Sequence, residues 1–376
     1  MRWYAVSDNP LTWLAHFDLV FIDPPHTGWS IAAGDEARKK LRSVDGDVAA
    51  LAEVMRGWLT RHKRWSPKVY LAGESYGTTR GAALADSLQN ANVALAGLIL
   101  VSCAMDLQSL IFAPRNDLRY ALFLPAFAGV AQHHGKLKAA AGVSPQAARS
   151  AAAAFVADDY LRALNAGARL SASQRRDITK RVAELTGLPV ALVEEKNLRI
   201  SDQAFFFELL RDAGRMVGRL DARATGAMAA SRTHEWEFDP GTEVIASPFG
   251  MAALAYFSQK LGLATQERYE LLSMEVNKGW NWNRGEAKGN AFASTSDDLA
   301  RALRRNTHLR ALVASGRYDL GMTDSASDWS LAQLDAPAEV LARVEHYYYD
   351  ACHVTYTRQA DLEKLERDVA AWLAAA

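Results

Sequence analysis

Residues 68–80, KVYLAGESYGTTR, admit few folds. Residues 68–72 are rich in strand formers, Gly73-Glu74-Ser75-Tyr76-Gly77 follows, and an Ala-rich helical pattern runs over 78–89. A strand that turns this abruptly into a helix must let the two backbones pass close together. Small residues two before and two after Ser75 meet that demand, and they leave the serine on a strained, exposed turn. A serine so displayed is a candidate nucleophile, although a Gly-rich turn around a buried serine has the same spacing.

The flanking segments alternate in kind. Residues 3–6 read as a short extended piece ended by the turn cluster 7–10. Residues 17–23, FDLVFID, form a near-continuous apolar run of the kind found in strands buried on both faces, and the run stops at Pro24-Pro25. Over 45–62, Val48, Leu51, Val54, Met55, Trp58 and Leu59 recur at helical spacing and predict a crossover helix. Residues 96–102 (AGLILVS) predict another buried strand. Strand, helix, strand, helix, strand implies parallel strands joined by right-handed crossovers, with a ligand crevice at the strands' carboxyl ends.

From about residue 105 to 307 the alternation stops. No run there demands a strand, whereas 144–166, 171–185, 202–213 and 248–261 are helical, and the Ala-rich piece 139–154 reads as a surface helix rather than a linker. The alternation resumes with strands over 309–315 (LRALVAS) and 344–349 (VEHYYY) and a closing helix over 359–373. The expected organisation is an α/β core over 1–104, an inserted helical cap over 105–307 above the sheet's active edge, and the rest of the core over 308–376.

With 376 residues and 49% hydrophobic content the chain can bury a large core. Its formal net charge is zero and no Lys/Arg run stands out, which argues against a nucleic-acid or anionic-membrane surface. Residues 1–17 lack an export signal, and no stretch approaches the length of a membrane span. Cys103 and Cys352 cannot build a disulfide framework, one bridge stays open, and the compartment is undecided by cysteine. No metal-ligand spacing, P-loop or dinucleotide fingerprint is present, so no metal or cofactor is expected.

Ser75, Asp319 and His353 each fall just beyond the carboxyl end of a predicted strand. Their order, Ser then Asp then His, is that of the α/β-hydrolases, so the expected fold is an α/β-hydrolase with a mostly parallel sheet and a large helical cap. Ser75 Oγ would be the nucleophile, His353 general base and then acid, Asp319 its orienting partner, and the Tyr76 backbone N–H one oxyanion donor. His346 lies inside a strand, and His16, His62 and His308 precede strands at the wrong end of the sheet. His26 and the cap histidines compete with His353, and Asp324, Asp328 and Asp350 compete with Asp319.

GESYGTTRGAALAD around Ser75, DNPLTWLAHFDLVFIDPPHTGWS and RWSPKVYLAGESYG before it, GRYDLG at Asp319 and CHVTY at His353 together resemble the serine carboxypeptidases, bacterial ones in particular. The resemblance covers most of the chain outside the cap. It implies removal of carboxy-terminal residues from peptides with a free C-terminus, without cofactor, often at acidic pH, in secreted or periplasmic enzymes. It also implies that Glu74 helps to grip the substrate's free carboxylate. A carboxylate placed beside Glu74 raises the Glu74 pKa by like-charge repulsion, so binding favours the protonated form, which can donate a hydrogen bond. An elbow carboxylate paired with a buried cation is the structural alternative.

Three departures from the family stand out. His26 and Cys352 occupy positions where the family has glycine, and the family's Asn-Gly-Gly-Pro-Gly loop, source of the other oxyanion donor, is absent because the sequence begins after it. The strand that lies between FDLVFID and KVYLAGE in the hydrolase order is absent with it. The expectation is an N-terminally truncated product with a gap in mid-sheet, unless residues 3–6 or a neighbouring chain fill the slot. An esterase or acyltransferase on the same scaffold, or a catalytically impaired peptide-binding homologue, are the other readings, and a homodimer stays open.

Overall fold

The computed structural model describes residues 6–138, 143–263, 266–285 and 291–375. Four parallel strands, β1 (Val69–Glu74), β2 (Leu95–Val101), β5 (Arg310–Gly316) and β6 (Val344–Tyr349), pair in the order β1-β2-β5-β6. The central pair shows why. Along β2, Leu98 and Leu100 pack on one face with Ala311 and Val313 of β5, and Ile99 and Val101 pack on the other with Leu312 and Ala314. A strand apolar at every position needs cover on both sides. Helices Val44–Arg61, Tyr76–Asn90 and Ser296–Arg305 supply residues to the first face, and Gln359–Ala374 covers the second. The expected mostly parallel α/β sheet is therefore present.

A layer of helices follows β2: Asp117–His133, Pro145–Phe155 running through a π turn into Leu161–Ala166, Ala172–Thr186 and Asp202–Glu208. They share one apolar cluster, within which Phe127 stacks on Phe205 at 4.2 Å between ring centroids. Ala172–Thr186 opens with a full capping box, Ser171 and Gln174 each satisfying the other's backbone N–H. Two features were not expected. Helix Asp117–His133 carries Pro125 inside it and is apolar almost all round, so it has no periodic face to read. The strands β3 (Arg215–Val217) and β4 (Thr225–Ala227) form a small antiparallel pair within the region expected to be all helical. The first residues of the Ala-rich piece, 139–142, lie outside the described residues, as do 1–5.

The strand expected over 17–23 is not formed, and the segment is largely exposed, Phe21 to 89%. The Phe17 ring meets Tyr70 at 5.2 Å and Ile22 packs on the first sheet face, yet no ladder bonds join this segment to β1. An apolar run becomes a strand only when a neighbour accepts its hydrogen bonds. The outer edge of β1 has no strand partner among the described residues. Among the described residues the sheet therefore ends at β1, with no hole between its strands. Cys103 and Cys352 are both free and buried, so no bridge forms between them. Among the described residues no helix is long and apolar enough to cross a membrane.

Candidate active site

The turn after β1 has the strained geometry that its sequence suggests. Ser75 sits at φ +57°, ψ −124°, a backbone conformation that side-chain-bearing residues seldom adopt. A Cβ on Gly73 would lie 2.2 Å from the Gly77 carbonyl oxygen, whereas a Cβ on Gly77 meets nothing within 4 Å. The expected need for small residues on both sides therefore holds for Gly73 alone. Gly73→Ala is expected to lower stability by about 1–3 kcal/mol in a urea melt, and Gly77→Ala to be neutral or stabilising by up to about 1 kcal/mol. Equal losses at both positions would contradict this asymmetry.

Tyr76 opens the helix after the turn, so its N–H is one of the first-turn donors that the helix cannot satisfy itself. Its side chain anchors the elbow from below: the hydroxyl donates to Asp47 Oδ2 at 3.3 Å, the ring meets Trp280 and Trp282 edge-on, and the Arg80 guanidinium lies over it. Thr78 Oγ1 donates to the Ser75 carbonyl at 2.7 Å and accepts the Ala104 N–H at 2.8 Å, tying the elbow to the chain beyond β2.

At the ends of β5 and β6 the chain brings Asp319 and His353 together. Asp319 Oδ2 lies 2.7 Å from His353 Nδ1. Its other oxygen, Oδ1, accepts the N–H groups of Gly321 and Met322 at 2.7 and 2.9 Å, so the fully buried carboxylate is held on both sides. The close approach depends on Gly316, where a Cβ would lie 2.1 Å from the Cys352 carbonyl oxygen. With Nδ1 donating to Asp319, His353 Nε2 is left as an acceptor. Burial alone would push the imidazole pKa down, but the charge and hydrogen bond of Asp319, with Glu74 adding to them, leave it raised above 6.5. The imidazolium's contribution to stability is accordingly complete below pH 6.5 and lost as pH rises through the raised value.

The backbone of His353 is braced from two directions. Ser102 Oγ donates to its carbonyl at 2.6 Å, and its N–H donates to Leu220 O at 2.8 Å. Leu320 N–H in turn donates to Arg219 O, and Asp239 accepts from the N–H groups of Arg219 and Leu220. The turn between β3 and β4 thus holds both loops of the pair. Ser75 N–H bonds Val101 O, one residue before Ser102, so Ser75 and His353 occupy the same edge of the sheet. Among the described residues no hydrogen bond joins Ser75 Oγ to His353.

None of the competing aspartates meets His353. Asp324 pairs with Arg149 and Arg317, Asp328 pairs with His346 Nδ1 at 2.8 Å, and Asp350 is exposed, with no hydrogen bond between its carboxylate and a histidine among the described residues. His346 Nε2 reaches Ser315 Oγ at 2.8 Å, giving a second Ser-His-Asp chain, but Ser315 is fully buried within β5, closed to any substrate. His26 adopts φ +67°, a left-handed conformation that favours glycine. Burial and the neighbouring Arg42 and Arg38 lower its pKa, and no bond links it to Asp319 or His353.

Glu74 is pushed above its ordinary pKa, by burial first; its hydrogen bond from Tyr356 and the nearby His353 oppose the shift. Its Oε2 accepts the Tyr356 hydroxyl, and no ion pair forms at Glu74 among the described residues. Sequence reasoning missed Tyr356, Ser102, Leu220 and Asp239. Ser102 was visible only as the last residue of a predicted strand, and the other three had no pattern to mark them. Among the described residues no group of three or more His, Cys, Asp or Glu side chains converges to hold a metal ion.

The serine carboxypeptidase family model matches residues 3–111. No curated protein matches the chain. Among solved structures it is similar to Kex1(delta)p, a prohormone-processing carboxypeptidase from Saccharomyces cerevisiae, at 12% identity and a TM-score of 0.54, over 98% of this chain and 76% of that one. VinJ matches at 11% identity and a TM-score of 0.32, over 87% of this chain and 72% of that one. The Kex1(delta)p likeness carries the α/β-hydrolase fold. The family match is confined to residues 3–111 and marks that segment as similar to the serine carboxypeptidases.

Proposed function

We propose that this chain, whose family match and fold support a serine carboxypeptidase, removes the last residue of peptides with a free carboxy terminus through an acyl-enzyme on Ser75. The observation that carries the reading is the 2.7 Å contact between Asp319 and His353 on the sheet edge that also bears the strained Ser75. Ser75 Oγ attacks the scissile carbonyl carbon while His353 Nε2 takes its proton, and Asp319 holds the imidazole in the tautomer that makes this transfer possible. The tetrahedral oxyanion accepts the Tyr76 N–H. As the C–N bond breaks, His353 returns the proton to the departing amine. Water, deprotonated by the same imidazole, then attacks the ester and releases Ser75. Because His353 must be neutral to act as base and its pKa is raised, the acid limb of kcat is expected above pH 6.5.

Glu74 confines the reaction to the chain end. A terminal carboxylate is admitted when Glu74 carries a proton, which its burial already favours. KM for a peptide acid should therefore rise as pH passes the Glu74 pKa, while KM for the corresponding amide should not. In Glu74→Gln the donor is permanently neutral, so this rise should be lost, the acid staying bound to higher pH, while the amide profile is almost unchanged. The test is terminal amino-acid release from N-acetyl-Phe-Leu against its carboxamide over a pH series. Equal shifts for the two substrates would make Glu74 a structural residue.

A further inference from the structure

Tyr356 lies on the short turn Thr355–Thr357, just past His353. Other residues shape that turn: Thr357 Oγ1 donates to Val354 O at 3.0 Å and lies 3.4 Å from Cys352 Sγ. The Tyr356 ring belongs to none of the three hydrophobic clusters, and the residue is 40% exposed. A large aromatic left out of the core, on a turn that does not need it, is poorly explained by packing. Its hydroxyl instead donates to Glu74 Oε2, on the carboxylate that precedes Ser75.

The charges near Glu74 are those of His353 and Asp319. A peptide's terminal carboxylate would be a further anion there, so it enters with one proton taken up from solvent onto Glu74. Once Glu74 is neutral, the phenol no longer faces an anion on that side, and its O–H is free to turn to the incoming carboxylate. We propose that Tyr356 is a substrate-binding residue whose phenolic O–H is a second donor, beside protonated Glu74, to the terminal carboxylate of the peptide. The proposal rests on the carboxypeptidase reading of the same site. A tyrosine gives the subsite a neutral donor that neither adds charge beside His353 nor titrates in the working range.

The test separates this proposal from that reading. N-acetyl-Phe-Leu and its carboxamide are titrated calorimetrically into the Ser75→Ala protein, with and without Tyr356→Phe, in two buffers of different ionisation heat. In parallel, protein with Ser75 intact is treated with a fluorophosphonate probe. The acid is expected to bind with uptake of a proton, and Tyr356→Phe to weaken it about 10-fold or more, the worth of a hydrogen bond to a charged group, with the amide changed less than about twofold. With Ser75 intact, Tyr356→Phe should raise KM for the acid and leave kcat nearly unaltered. Undiminished acid binding, or equal losses for acid and amide, overturns the role of Tyr356 while labelling of Ser75 keeps the hydrolase reading. If the acid does not bind and Ser75 is not labelled, both are overturned.

Discussion

Asp319→Asn is expected to cut kcat for a blocked dipeptide about 10⁴-fold, with Ser75→Ala and His353→Ala losing at least as much and double variants losing little more than single ones. The reason for the asparagine effect is local. Asp319 Oδ1 already accepts two backbone N–H groups, from Gly321 and Met322, which require an oxygen there. An asparagine satisfies them with its carbonyl and must point its NH₂ at His353 Nδ1, 2.7 Å away in the native pair. The imidazole is then driven to accept at Nδ1 and carry its proton on Nε2, where it cannot receive one from Ser75. Stopped-flow or discontinuous assays of amino-acid release measure the loss. A drop of less than about tenfold in Asp319→Asn would show that His353 works without that partner.

Asp324→Ala is expected to destabilise the fold by about 3–5 kcal/mol in a urea melt, more than Arg149→Met. Arg149, on helix Pro145–Phe155, and Asp324, at the start of Asp324–Ala332, are each 4% exposed and meet at 3.0 Å. Burial already lowers the Arg149 pKa, and its Nη2 has no hydrogen-bond partner. Removing the carboxylate leaves a buried cation uncompensated. Removing Arg149 leaves Asp324 its second partner, Arg317 Nη1 at 3.0 Å, so the penalty is smaller. The reverse order would show that Arg317 carries the pair. Because this link joins the helical layer to the loop bearing Asp319, Asp324→Ala should also depress kcat under conditions where the variant remains folded.

The parts of this protein that are legible in its sequence are those fixed by local chemistry. A strand that turns sharply into a helix needs Gly73, and residues that act together at one sheet edge must follow strand ends, which puts Ser75, Asp319 and His353 forward as candidates, with His26, the cap histidines, Asp324, Asp328 and Asp350 still competing, before any contact is known. Strands β2 and β5 are legible because burial on both faces leaves an unbroken apolar run. The same signal misleads over 17–23, since pairing depends on a neighbour and not on composition. Helix Asp117–His133 is hidden by the converse problem, being apolar on nearly every side. The braces of the site are illegible because they join distant segments: Tyr356 meets Glu74 across 282 positions, and Ser102 meets His353 across 251. A hydroxyl in a turn and a serine after a strand carry no mark of such partners.

Fluorophosphonate labelling followed by intact-mass and peptide-mapping spectrometry tests the central claim most directly, since the probe reacts only with a serine activated by a working base. One adduct per chain on Ser75 is expected, forming more slowly as pH falls below the raised His353 pKa, and absent from Ser75→Ala. A folded wild-type protein that takes up no probe, or that carries the adduct on another serine, would contradict the assignment of Ser75, His353 and Asp319 to one catalytic site.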